Sequence, residues 1–514
     1  MGKRLFKATV VVSSMTLMSR LLGFVRDTLI ARLFGVDVAT DAFFVAFKIP
    51  NLLRRLFTEG AFAHALVPVM ANHQGDKFAL RQFIGKTAGT LTAWSLLVTL
   101  IAMVLAPVLV LILAPGFAWQ GPQYDLAVSL LRITLPFGLC IVLVAFAGAI
   151  LNAHEHYALP ALTPIILNIS MIVAALWVAP SMNVPITALA WGVFVAGILQ
   201  LLFQVPSLVQ LGLLPKLTIK FRDPDVSLVI NRLLPAIFSA SVTQVNLLLD
   251  ALVASFLVSG SVSWLYYSDR LVEFPLGILG MGLATVILPN LANHYVADDT
   301  TAFSATLDWG LRLVLLVGMP ATIGLFVLAE PMLSTLFQYD EFTLNDVHKA
   351  GQSLKAYSVG LLGYLFIKIL VSGFTSRHDL KSPVRYGLIA MITSLALNVL
   401  AIPLAHAGLA LATSLGALLN AALLLGRLLQ DKAYQPGLGW LLFLARVALA
   451  SVAMAVCLCY FVDDSWWQQW SSGDRISNLL KWISIGFAVY ALTLVTFGLR
   501  LRHLTGTSDK IRSF

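Results

Sequence analysis

The chain has 514 residues, of which 59% are hydrophobic and 11% charged, with a mean hydropathy of +0.87. That balance excludes an ordinary soluble globular protein, and apolar runs long enough to cross a bilayer exclude an outer-membrane barrel, whose strands would alternate polar and apolar residues. The formal net charge of +9 is scattered through short loops between apolar runs, so it reads as a topology signal and not as a nucleic-acid patch.

The first apolar segment follows Lys3, Arg4 and Lys7, exceeds signal-peptide length and is interrupted by arginines, so it is expected to stay in the mature protein. From there, apolar runs bounded by polar or Pro/Gly breaks predict about 14 transmembrane helices in an all-α polytopic membrane protein. The clearest spans are 91–114, 161–180, 186–205, 384–405, 408–429 and 439–462. Those near 10–34, 41–72, 226–258 and 262–293 carry charged or amide side chains within them. Cys140, Cys457 and Cys459 all lie in apolar runs, without zinc-like or disulfide-like spacing, and read as packing residues.

The loops "NHQGDKFALRQF", "LPKLTIKFRD" and "SRHDLKSPVR" and the tail "RLRHLTGTSDKIRSF" are rich in Lys and Arg, whereas "GVDVAT", "GFAWQGPQYD", "PSMNVP" and "SGSVS" contain none. Both termini are therefore expected to be cytoplasmic, with Lys349, Lys355 and Arg475 as exceptions on the outer side. The segment 214–223 alternates basic and apolar residues and is read as a connector at the inner membrane surface.

An internal repeat joins the beginning to the middle. "DTLIARLFG" from Asp27 resembles "DALVASFLVSG" from Asp250, and "ALVPVMANH" ending at His73 resembles "VILPNLANH" ending at His294, at shifts of 223 (250 − 27) and 221 (294 − 73). Two pseudo-symmetric six-helix lobes in one orientation follow, with two C-terminal helices outside the repeat. The expected domains are an N-lobe at 1–215, a C-lobe at 216–434, and the last two spans with a basic cytoplasmic tail at 435–514. Repeated lobes of this kind suit a transporter, although duplication for structure alone gives the same pattern.

Charged side chains concentrate in the first two helices of each lobe. Each costs roughly 2.5–3.5 kcal/mol at a bilayer centre on insertion scales, so such residues usually face a wet cavity or a partner. In "SRLLGFVRDTLIARLFG", Arg20 and Arg26 lie well inside the span, while Arg32 is close enough to its outer end to snorkel. Arg20 and Asp27 are nearly aligned on a helix, with Arg26 about 120° around. In "DAFFVAFKIPNLLRRLFTEG", the residues Asp41, Lys48, Asn51, Arg55 and Glu59 share an arc of about 80°. Pro50 is expected to kink that helix, leaving open whether Arg54 or Arg55 points inward. In the second lobe "SDRLVEFP" supplies Asp269, Arg270 and Glu273, the last two spaced to pair. One reading is a set of buried salt bridges that lock the lobes. The other follows from the excess of cations: Arg20, Arg26, Arg54 and Arg270 converge on a water-filled cavity that binds a phosphate-bearing anion, with the carboxylates Asp27, Asp41, Glu59, Asp269 and Glu273 holding the empty site together.

At these residues the sequence resembles the MurJ (MviN) lipid II flippases of the MOP exporter superfamily. The resemblance covers nearly the whole chain and rests on "SRLLGFVRD", "ATDAFFVAFKIPNLLRRLFTEGAF", "SGSVSWLYYSDRLVEFPLGILG" and "AYSVGLLGY". It implies transport of lipid II, the undecaprenyl-pyrophosphate-linked peptidoglycan precursor, from the inner to the outer leaflet of a bacterial cytoplasmic membrane by alternating access. It assigns Arg20, Arg26, Arg54 and Arg270 to a central cationic cavity and marks Asp41, Asn51, Glu59 and Glu273 as cavity or gate positions. It also implies a lipid-tail groove on the last two helices, which the uncharged stretches 447–461 and 482–499 suit.

No cofactor or metal is expected, and no Gly-rich nucleotide loop is present to supply ATP as a drive. Membrane potential or an ion gradient is the candidate energy source. Asp250, one turn after Asn246, is a candidate coupling site, with Asn398 and Thr413 as distant partners; a helix-packing hydrogen bond explains it equally well. Expected partners are lipid II, the membrane and proteins of cell-wall synthesis; the chain is otherwise read as a monomer that does not bind nucleic acid. Two alternatives stay open: an exporter of another polyprenyl-linked oligosaccharide, and an intramembrane enzyme acting on a lipid-linked substrate. The second lacks a catalytic constellation, since "HEHY" at 154–157 does not have the spacing of a zinc protease motif.

Overall fold

The computed structural model describes residues 2–57, 62–73, 75–437, 439–463 and 465–498. Among them the backbone is helix joined by turns, with no strand. Hydrocarbon offers no hydrogen-bond partner, so each segment satisfies its own backbone. In chain order the helices are α1 (Gly2–Phe34), α2 (Val38–Leu56), α3 (Phe62–Ala71), α4 (Lys77–Val104), α5 (Ala106–Leu113), α6 (Pro122–Thr134), α7 (Pro136–Ala153), α8 (Ala158–Val173), α9 (Thr187–Gln210) and α10 (Pro224–Ala254). They continue as α11 (Ser261–Pro275), α12 (Met281–Val296), α13 (Thr300–Val327), α14 (Ala329–Leu336), α15 (Leu344–Thr375), α16 (Lys381–Leu400), α17 (Ala405–Gln430), α18 (Trp440–Phe461), α19 (Trp466–Gln469) and α20 (Ser472–Thr496).

Among the described residues ten helical segments are long and apolar enough to cross a membrane: α4, α6 fused with α7, α8, α9, α13, α15, α16, α17, α18 and α20. The remaining expected spans correspond to α1, α2 with α3, α10, and α11 with α12, the four stretches that carry charged or amide side chains. The chain is thus an all-α, multi-pass membrane protein.

The repeat is written into the element lengths. Both α4 and α13 have 28 residues and both α5 and α14 have 8, each pair starting 223 residues apart (300 − 77 and 329 − 106). The fused α6–α7 span and α15 each have 32 residues. By contact, the chain divides into compact units 1–263 and 264–514, so that boundary falls inside α11.

In the first unit the α6–α7 span is central, with 78% of its apolar window buried. Phe62, Phe83, Ile84, Phe146 and Leu151 belong to a core built around α7. In the second unit α15 lies close against α17. A Cβ on Gly360 would sit 2.7 Å from Ser414, and one on Gly363 would sit 2.8 Å from the Leu418 backbone nitrogen. Small residues permit such close approach in a bilayer, where hydrophobic burial does not drive helices together. The last two spans pack on α13 through Phe443, Val447, Met454 and Leu458, and the Tyr490 hydroxyl donates to the Leu316 carbonyl at 2.9 Å. Only 22% of the α20 window and 17% of the α16 window are buried, which leaves their apolar faces to lipid.

Candidate functional site

The charged residues of α1 are held by a neighbouring helix. Arg26 and Asp27 are almost fully buried, at 4% and 1% exposure. The Arg26 guanidinium donates to Asp27 Oδ1 from Nε at 2.9 Å and from Nη2 at 2.6 Å, and from Nη1 to Asn168 Oδ1 on α8 at 3.0 Å. Asn168 returns its Nδ2 to the Ser19 carbonyl at 2.9 Å, which ties α8 to α1 on both sides of Gly23. The Phe47 ring of α2 lies 6.0 Å from the Arg26 guanidinium carbon. Helical alignment places Arg20 and Asp27 on one face, and the long Arg26 stem folds back onto Asp27, its own neighbour. Arg20 is half-buried and Arg32 is exposed near the end of α1.

On α2, Asp41 is buried in the first turn. Its Oδ2 accepts from the Gly260 backbone N–H at 2.6 Å, and its Oδ1 accepts from the Ser263 N–H at 2.8 Å and the Ser263 hydroxyl at 2.6 Å. A carboxylate therefore sits against the N-terminus of α11, where unsatisfied N–H groups and the helix dipole favour negative charge. Farther along α2, Asn51 Oδ1 accepts from Arg54 at 3.3 Å (Nε) and 2.9 Å (Nη2), leaving Arg54 half-buried. The helix runs unbroken past Pro50. Glu59 lies outside the described residues. Asp250 is half-buried on α10, and the side chain of Asn246 lies outside the described set.

In the second unit Arg270 and Glu273 form the pair that their spacing allows, Nη1 to Oε2 at 2.8 Å. The Tyr266 hydroxyl accepts from Arg270 Nη2 at 3.1 Å and Nε at 3.3 Å, with the ring 5.1 Å from the guanidinium carbon. All three lie on α11, and the Arg270 and Glu273 side chains retain 26% and 31% exposure. Asp269 beside them is half-buried. The Thr413 hydroxyl donates to the Leu409 carbonyl at 3.0 Å and Asn398 is buried on α16. Among the described residues no three His, Cys, Asp or Glu side chains gather as a metal site would require.

Three further clusters escaped the sequence. Asp308 and Arg312 on α13 are buried and paired at 2.8 Å. Asp308 Oδ1 accepts from the Tyr434 hydroxyl at 2.7 Å, the Gly437 N–H at 3.1 Å and Trp440 Nε1 at 2.6 Å, while Arg312 faces the rings of Trp440 and Phe443. Burial, reinforced by the Asp308 carboxylate, pushes the Tyr434 phenol far above its usual range, so it is a lasting donor. Their acid-then-base spacing of four is a local helical signal, hidden in a long apolar run. Glu330 on α14 takes Lys355 and His348 at 2.8 Å each. Arg475 on α20 is buried and donates to the Ser334 and Gln338 carbonyls at 3.2 and 3.1 Å, at the C-terminal end of α14.

The connector 214–223 is an extended strap lying on α4. Its Thr218 N–H donates to the Gly85 carbonyl at 3.1 Å and its Lys220 N–H to the Thr90 hydroxyl at 3.1 Å. Lys86 pairs with Asp223 at 2.7 Å, and His73 Nε2 lies 3.2 Å from Asp225. Burial acts to raise the Asp223 carboxyl, but Lys86 and the Val226 and Asp225 backbone N–H groups outweigh it and hold the group below the usual range.

A family model described as "Lipid II flippase MurJ" matches residues 30–481. A Haemophilus influenzae relative named "Probable lipid II flippase MurJ" is 45% identical over 95% of this chain and 99% of its own length. The "Lipid II flippase MurJ" of Burkholderia cenocepacia is 39% identical over 96% and 98%. A solved structure titled "Lipid II flippase MurJ, inward closed conformation" matches with a TM-score of 0.81 at 26% identity, covering 97% of this chain and 100% of that one. An inward-facing multidrug resistance MATE family transporter of the MOP superfamily gives 0.67 at 14% identity over 82% and 98%, a likeness of fold alone.

Proposed function

The chain belongs to the lipid II flippase MurJ family, and we propose that it carries lipid II from the inner to the outer leaflet by alternating access, with Arg20, Arg26, Arg54 and Arg270 receiving the pyrophosphate. It is a transporter and not an enzyme. The observation that supports the arginine role is the way Arg54 and Arg270 are held. Asn51, and Glu273 with Tyr266, are partners on the same helix as the cation they hold. Both side chains keep part of their surface open, and the guanidinium fork suits the oxygens of a diphosphate. Arg26 differs, because its Asn168 bond joins α1 to α8, so its use by the ligand requires that contact to loosen. Asp27, Asp41, Asp269 and Glu273 act as counter-charges while the site is empty, and the exposed apolar faces of α18 and α20 offer a surface to the polyprenyl tail.

The basic loops support an inner-membrane orientation with both termini in the cytoplasm. Membrane potential, worth about 2.3 kcal/mol per charge per 100 mV, or an ion gradient acting through Asp250 supplies the drive. Monomeric function alongside cell-wall synthesis proteins completes the reading. The test is headgroup accessibility of labelled lipid II in vesicles containing only this protein. Arg270→Ala and Arg26→Ala are expected to abolish translocation while Arg270→Lys retains a fraction of it. Normal translocation by Arg270→Ala would overturn the pyrophosphate role, and equal transport of a different polyprenyl-linked oligosaccharide would favour the broader exporter.

A further inference from the structure

Helix α16 has two opposed faces. Its buried residues, Ala390, Ser394 and Asn398, form a narrow stripe, and Ser394 meets α17, donating to the Ala412 carbonyl at 3.3 Å. The other side carries an open groove of about 520 Å³ lined by Lys381, Val384, Arg385, Leu388, Ile389 and Ile392. On a helical projection Lys381, Arg385, Leu388 and Ile392 fall within about 60° of one another. The stripe is therefore cationic for its first two turns and aliphatic for the next two.

The cations at this end of the second unit divide into two groups. Arg377 and Arg427 share Asp431, at 3.4 and 3.1 Å. Lys381 and Arg385 are exposed, and neither makes an ion pair with another described residue. Asp379, the nearby carboxylate, is turned to the start of α16, where it accepts from the Lys381 and Ser382 N–H groups at 3.1 and 3.0 Å and from the Ser382 hydroxyl at 2.6 Å. The charge and the length of the groove together specify its occupant. From Lys381 to Ile392 the helix rises about 16 Å, roughly half of a hydrocarbon core of about 30 Å. That matches one leaflet of acyl chain beneath one headgroup, and is too short for a polyprenyl chain of the length lipid II carries.

We propose that the outer face of α16 is a binding site for an anionic phospholipid, its phosphate at Lys381 and Arg385 and its acyl chains along Leu388 and Ile392. The site shares no residue with the arginine set of α1, α2 and α11 and does not depend on which leaflet is cytoplasmic. Basic side chains at headgroup depth attract anionic lipid, and two of them together give a preference of about tenfold or more over a zwitterionic lipid.

The test uses the full chain in nanodiscs of mixed phosphatidylglycerol and phosphatidylcholine, with a photo-crosslinking p-benzoylphenylalanine replacing Leu388 and adducts identified by mass. A second probe at the exposed Val98 of α4 gives the bulk reference. Phosphatidylglycerol adducts at 388 are expected to exceed their bulk share about tenfold, to fall to that share in Lys381→Ala/Arg385→Ala, and to persist in Lys381→Arg/Arg385→Lys. Adducts that follow the bulk ratio, or an enrichment that survives the alanine pair, would overturn the site. So would preferential capture of lipid II when it is added to the same discs.

Discussion

The two lobes handle the same crossing with different chemistry. After α9 in the first lobe and after α17 in the second, the chain crosses the face of the 28-residue helix, α4 or α13. At the repeat shift of 223, Gly85 and Gly89 of α4 stand where Asp308 and Arg312 stand in α13. In the first lobe the missing side chains let the strap come down onto the helix backbone: a Cβ on Gly85 would lie 2.5 Å from the Lys216 carbonyl oxygen, and one on Gly89 would lie 2.6 Å from the Thr218 backbone. In the second, a buried ion pair reaches up and grips Tyr434, Gly437 and Trp440. A buried charge inside a membrane helix is thus not by itself a sign of a ligand site. Here one pair fastens a linker, at the same register where its counterpart uses no side chain at all.

Breaking the ion pair should have the largest effect. Asp308→Ala takes the carboxylate away from the Arg312 cation and from three donors, and a loss of about 3–5 kcal/mol is expected in detergent unfolding. Removing the cation as well, in Asp308→Ala/Arg312→Met, should recover a substantial part; a double variant as unstable as the single one would show that packing and not charge carries the clasp. An intermediate effect is expected for Gly89→Ala, whose new methyl must displace strap backbone, at about 1–3 kcal/mol. Faster proteolysis within 211–223 would accompany it, and an unchanged cleavage rate would mean that the strap can shift without cost. The smallest effect concerns Asp223, which anchors the far end of the strap. Its folded carboxyl titrates below the ordinary 3.8. Its contribution is therefore fully present above that value and is lost as pH falls through the lower folded one. The stability gap between wild type and Asp223→Asn should be flat above pH ~4 and shrink below it; a gap that grew on acidification would reverse the sign of the interaction.

The fold was largely legible because hydropathy and repeat register are local or periodic properties of a sequence. Within the candidate site, the Arg270–Glu273 pair was legible for the same reason: three residues on one helix fix it. The Arg26–Asp27 contact was not, since adjacent residues do not face each other on an ideal helix and only a long, bent side chain closes the gap. Asn168 and the Gly260–Ser263 turn were beyond reach, because their partners lie 142 and about 220 residues away and nothing in the spacing marks them. Asp308 and Arg312 had a readable spacing but no companion charges to draw the eye.

The seat of Arg475 bears on how the protein is made. Its guanidinium rests against the carbonyls of Ser334 and Gln338, so the place that receives this cation exists only once α14 has folded. In the proposed orientation Arg475 must be carried outward during biogenesis, and its landing point must be ready on arrival. Synthesis from the N-terminus supplies that order, completing the acceptor some 140 residues before the cation leaves the ribosome. A circularly permuted chain that presented the final hairpin first would have to translocate a bare arginine with nowhere to dock.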